Sequence, residues 1–74
     1  MTVYLRLHGQ LAALHQRVKL IEARGGKTLL EMLGDMSLEG GTYSVLQVNG
    51  QIVDGQAVPK DGDVVDVYPP IGGG

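Results

Sequence analysis

The residues with the clearest chemical potential stand at the end of the sequence, where Pro69-Pro70 is followed by Ile71-Gly72-Gly73-Gly74. Three successive glycines have no side chain to pack and cost entropy to order, so such a run serves reach rather than stability. Proline fixes its own backbone near the extended polyproline conformation, so Pro69-Pro70 would project the run away from the fold. Four extended residues span about 13–14 Å, and the two prolines add about 6 Å. A slender terminus of that length could enter a narrow channel and carry the carboxylate of Gly74 to a buried site on another protein. A free carboxylate is a poor electrophile; adenylation would activate it, and sulfide or a persulfide could then attack the mixed anhydride. The product would be a thiocarboxylate on Gly74, a soft nucleophile on a flexible arm. The bland alternative is a frayed terminus with no role.

Cysteine content bears on this chemistry. The chain has none, so sulfur cannot ride on it as a cysteine persulfide, and disulfides and thiolate metal sites are excluded. At 74 residues it is read as one domain, 1–70, with a flexible tail, 71–74. A domain this small buries only about 60% of the surface its unfolded chain exposes, which leaves little room for a deep catalytic cleft. No signal peptide is evident, and no apolar run approaches the roughly 20 residues of a membrane span. A cytoplasmic protein without membrane contact is expected. The net charge of −2 argues against nucleic acid as a partner. The charge is uneven: residues 1–34 carry five basic and two acidic groups, and residues 35–74 carry one and six. An acidic second half could steer the tail towards a basic partner, although ordinary solubility explains it as well.

The elements that must position the tail follow from periodicity. Val3–His8 alternates apolar and polar residues, the pattern of a half-buried strand, and so does Arg17–Ala23. Gln10–Gln16 between them could form a helical turn but is too short for an independent helix, and is read as a long hairpin connection. Thr28-Leu29-Leu30-Glu31 fits a capping box and opens a helix. Leu29, Leu30, Leu33 and Met36 are expected on the face that covers the sheet. Tyr43–Val48 reads as a strand, and Asn49-Gly50 as a tight hairpin turn into a short return strand, Gln51–Val53. Asp61-Gly62 turns into the last strand, Asp63–Tyr68, which Pro69 ends. This order makes an α+β domain with a mixed sheet of four to five strands and one main helix on one face. The first and last strands, rich in Val and Leu, should lie side by side at its centre.

Other constellations carry less. Gly26-Lys27-Thr28 resembles the end of a phosphate-binding loop, but the required earlier glycine is Ile21. Asp61, Asp63 and Asp66 lack the glycine and glutamate of a calcium loop and are read as turn and strand-face residues. His8 and His15 have no nearby third ligand, so surface histidines are the default and no metal is expected. If Leu5, Leu46, Val65 and Val67 face the helix, then Tyr4, Val45, Val64 and Tyr68 face away from it. An exposed apolar sheet face of that kind would be a docking patch for a partner.

The combination Val48-Asn49-Gly50, Asp61-Gly62-Asp63 and Tyr68-Pro69-Pro70-Ile71-Gly72-Gly73-Gly74 resembles the β-grasp sulfur carriers. These are the small subunit of molybdopterin synthase and the sulfur carrier of thiamine biosynthesis. The resemblance runs over nearly the whole chain. It implies a ubiquitin-like β-grasp fold and a protein cosubstrate rather than an enzyme in its own right. It also implies an adenylating enzyme of the ubiquitin-activating type that uses ATP, with no cofactor held by the carrier. A sulfur donor is implied, as is an acceptor such as a molybdopterin synthase large subunit or a thiazole synthase. The functional glycines carry over to Gly73 and Gly74. The proline pair and the long first hairpin are more similar to the molybdopterin branch. A protein modifier joined through Gly74, or an interaction domain with an incidental tail, are the alternatives.

Overall fold

The computed structural model describes residues 1–14, 18–22, 25–38 and 43–70. Its elements are β1 (Thr2–Leu7), α1 (Gln10–Leu14), β2 (Val18–Glu22), α2 (Leu29–Asp35), β3 (Val45–Val48), β4 (Gln51–Val53) and β5 (Val64–Tyr68). The five strands form one mixed sheet in the order β2-β1-β5-β3-β4. β1 and β5 pair in parallel at its centre, as expected from their composition. All other neighbours are antiparallel. This is the ubiquitin-like β-grasp arrangement.

Alternation sets the two faces. Val3, Leu5 and Leu7 of β1, Val65 and Val67 of β5 and Leu46 of β3 are buried on one face, where Leu29, Met32 and Leu33 of α2 close the core. The capping box forms as expected. The Thr28 hydroxyl accepts from the Glu31 N–H, and the Glu31 carboxylate accepts from the Thr28 N–H. These bonds hold the Glu31 carboxyl below its ordinary range. The remaining first-turn donors, Leu29 and Leu30, bond the carbonyls of Ala57 and Gly55 at 2.9 and 3.0 Å. The irregular 54–60 segment thus satisfies the start of the helix.

Leu30 departs from expectation. It is 44% exposed, and Met32 takes its place in the core. Leu29, Met32 and Leu33 make the i, i+3, i+4 stripe; Leu30 sits one step, about 100°, around the helix from Leu29 and lies over Gly55 instead. The helix ends on Ser37, a non-glycine residue at φ 64°. Ser37 and Leu38 donate back to the carbonyls of Gly34 and Leu33, a Schellman closure that buries Leu38.

The connection between antiparallel β1 and β2 contains a short helix. Gln10–Leu14 is helical, because tertiary burial of Leu11 stabilises a turn that would not persist alone. Strand boundaries shift by one or two residues: β1 begins at Thr2 and β3 at Val45. Arg17, Ala23 and His15 lie outside the described residues. The Asn49-Gly50 turn forms with φ 51° and 84°. The Asn49 side chain accepts from the Val64 N–H and donates to the Asp63 carboxylate, pinning the hairpin to the start of β5.

Candidate functional site

The described chain leaves the sheet at the end of β5, a central strand, through Tyr68, Pro69 and Pro70. Four contacts hold this exit. The Ser44 hydroxyl donates to the Pro69 carbonyl at 2.7 Å, and the Ser44 N–H donates to the Tyr68 carbonyl at 2.9 Å. On the other side, Gly9 lies so close that a Cβ there would stand 2.8 Å from Pro69 Cγ. The His8 ring stacks on Tyr68, with centroids 4.3 Å apart and planes 8° from parallel. The residues just after β1 and just before β3 therefore grip the base of the tail from both flanks. Ile71, Gly72, Gly73 and Gly74 lie outside the described residues.

The sheet face opposite the helix holds the other residues singled out from the sequence. Tyr4 pairs with Val64 and Val45 with Tyr68 in the strand register. Leu5, Leu46, Val65 and Val67 are buried under the helix, so the four alternate residues do face away from it. They do not form one patch. Val45 and Tyr68 join Ser44, Gln47, Pro69 and Pro70 around an open groove of about 480 Å3 at the base of the tail. Tyr4 and Val64 sit at the far end of the face, next to Leu20, which pairs with Tyr4 and is 65% exposed.

A polar cluster divides the two. Asp66 is 2% exposed despite lying on the open face. Its carboxylate accepts from Arg6 Nε at 2.7 Å and Nη2 at 2.8 Å, and His8 Nε2 lies 2.7 Å from the same Oδ1. The Arg6 hydrogen bonds hold the Asp66 carboxyl below the usual range against the opposing effect of burial, with His8 adding to the shift. Asp66 in turn raises the Arg6 guanidinium. Sequence reading left His8 as a free surface ring; it is instead half-buried between Asp66 and Tyr68. A signal existed: Arg6 and Asp66 interrupt two central strands, at positions that a parallel pairing sets side by side.

Asp61 and Asp63 are turn builders. Asp61 accepts from the Thr2 N–H, and Asp63 from the Lys60 N–H and the Asn49 amide. The Lys60 N–H and then Asn49 pull the Asp63 carboxyl below its ordinary range. Among the described residues, no three His, Asp or Glu side chains gather as metal ligands. No described helix is long and apolar enough to cross a membrane.

The sequence model of the ThiS family matches residues 5–74, nearly the whole chain and the exit with it. The chain belongs to the ThiS family. Solved structures agree on the fold of this ThiS-family chain. SAMP1 of Haloferax volcanii is 19% identical, with each chain covered in full and a TM-score of 0.80. A Pyrococcus furiosus protein provisionally assigned as molybdopterin converting factor, subunit 1, is 24% identical over 96% of this chain and 99% of its own, with a TM-score of 0.77. A chain from the Helicobacter pylori complex of molybdopterin-converting factor subunits 1 and 2 is 25% identical over the full length of both, with a TM-score of 0.67. No curated protein sequence matches significantly. Family and fold together make this a β-grasp sulfur carrier of the ubiquitin-like kind.

Proposed function

We propose that this chain carries sulfur as a thiocarboxylate on Gly74 and acts as a protein cosubstrate. The observation that carries the reading is the family match through residue 74, across an exit that the fold holds on both sides. In the proposed cycle the Gly74 carboxylate attacks the α-phosphate of ATP on an activating enzyme, and pyrophosphate leaves. Sulfide then attacks the acyl carbon, AMP leaves, and the thiocarboxylate remains. A persulfide donor would instead give an acyl disulfide, which a thiol reduces to the same product. The carrier supplies no side chain to these steps. Its part is to present a slender carboxylate arm and a docking face.

Docking falls to the two apolar areas of the open face: Val45 and Tyr68 beside Pro69 and Pro70, and Tyr4 with Val64. Ile71 and Gly72 would thread the partner's channel, with Gly73 and Gly74 at the reacting end. The acceptor favoured here is a large subunit of the molybdopterin synthase type, a choice supported by the Helicobacter pylori likeness, which was solved as a complex of molybdopterin-converting factor subunits 1 and 2. A thiazole synthase is the second choice. Pyrophosphate release with ATP and the cognate activating enzyme, followed by intact mass after adding sulfide, tests the proposal. Replacement of one oxygen by sulfur is expected, and loss of both signals on deleting Gly73-Gly74. Turnover unchanged by that deletion would overturn the reading.

A further inference from the structure

The contacts at the base of the tail go further than support. We propose that Ser44 and His8 are positioning residues that fix the direction in which the arm leaves the sheet, so that it meets the activating enzyme already aimed. This rests on the carrier reading above.

Proline has no N–H, so the only backbone hydrogen-bonding group Pro69 owns is its carbonyl. That carbonyl goes to the Ser44 side chain rather than to water. Strand pairing between β3 and β5 already continues one residue past Val45 through the Ser44 N–H. The hydroxyl extends this hold to the first proline, which no ladder hydrogen bond from the proline itself could do. His8 acts one residue earlier and from the opposite flank. Its ring lies flat on Tyr68 while Nε2 is tied to Asp66, and Asp66 is held in turn by Arg6. The stack therefore cannot slide without breaking a bond to a buried carboxylate. Core packing does not require either contact, since the Ser44–Pro69 bond is exposed and the His8–Tyr68 stack lies on the face away from α2.

Leverage makes the direction matter. Once a partner channel draws residues 70–74 out straight, they reach about 17 Å, so each 10° of difference in direction at Pro69 would move the far carboxylate by about 3 Å. Misplacement of about 1 Å can cost a reacting group a hundredfold in rate. A partner channel can impose the final alignment, so loss of the hold should appear in productive association more than in the chemical step. Ordering one such element on binding costs enough to weaken association about three- to tenfold.

The experiment uses the full chain in steady-state adenylation with its cognate activating enzyme, alongside residual dipolar couplings of the Pro70 Cα–Hα vector. Ser44→Ala and His8→Ala are expected to raise KM for the carrier about three- to tenfold, with kcat within about twofold. Both should shrink the Pro70 coupling relative to core amides. Ser44→Thr, which keeps the hydroxyl, should restore both readouts, and His8→Phe, which keeps the stack but loses the tie to Asp66, should restore them only in part. Unchanged KM and unchanged couplings in the alanine variants, with wild type active, would overturn the positioning role alone. If no activating enzyme adenylates wild type, the carrier reading fails, and unchanged couplings would still refute the hold by themselves.

Discussion

Gly9→Ala isolates the packing at the base of the tail from ordinary backbone strain. Gly9 has φ 57°, and an added Cβ would sit 2.8 Å from Pro69 Cγ and 3.4 Å from Cδ. Alanine in this left-handed region costs about 1–2 kcal/mol. Pushing a rigid ring aside adds about 1–3 kcal/mol, as for other overpacked sites. Gly50→Ala is the matched control, because Gly50 has φ 84° and no atom within 4 Å of its Cβ position. It should cost the strain alone. A domain of this size has about 4–11 kcal/mol of stability to lose, so both variants should still fold. Urea denaturation followed by circular dichroism should place the Gly9→Ala midpoint below that of Gly50→Ala by about 1–3 M, at an m-value near 1 kcal/mol/M. In thermal melts each 1 kcal/mol corresponds to about 4–8 °C. Equal midpoints for the two variants would refute the claim that Pro69 is packed against Gly9.

Two further substitutions test the rest of the structure. Leu33→Ala should lose about 2–5 kcal/mol in urea denaturation, whereas Leu30→Ala, at a half-exposed position over Gly55, should lose less than about 1.5 kcal/mol; similar losses would contradict the assigned helix face. Asp66→Ala removes an acceptor of three hydrogen bonds and should cost about 1–3 kcal/mol at neutral pH, an upper figure tempered by the exposure of Arg6. The folded-state pKa values of Asp66 and Asp63 are lowered. Their contribution is therefore complete above the unfolded carboxylate value near 4 and is lost as pH falls from there through the lower folded values. Acid titration of stability should show a shallower slope in Asp66→Ala than in wild type.

Much of the frame was legible because its signals are local. Thr28 and Glu31 stand three residues apart and satisfy each other, Asn49-Gly50 closes its own turn, and alternation in β1 and β5 marks which side chains point inward. The tail-base contacts were not legible for the opposite reason. Ser44 and Pro69 are 25 residues apart, and His8 and Asp66 are 58 apart. Each pair is meaningful only once β1, β5 and β3 lie side by side in a definite register. The same holds for Asp66. In sequence it is one more aspartate of the acidic half; in the sheet it is a buried carboxylate held by a guanidinium and an imidazole. Ser37 escaped notice because serine seldom takes the left-handed conformation that a glycine at that position would have advertised. Leu30 misled because three leucine or methionine neighbours offer two overlapping stripes, and only the 54–60 segment decides between them.

The central claim is that Gly74 bears the carboxylate on which sulfur is carried. Its most direct test is top-down mass spectrometry of the protein isolated from its own cells under thiol-blocking, non-reducing conditions. The expected result is a chain ending at Gly74, with a fraction in which one oxygen of the terminal carboxylate is replaced by sulfur. A mature chain that continues past Gly74, or one ending there and never sulfurated even with its activating enzyme, ATP and sulfide supplied, would contradict it.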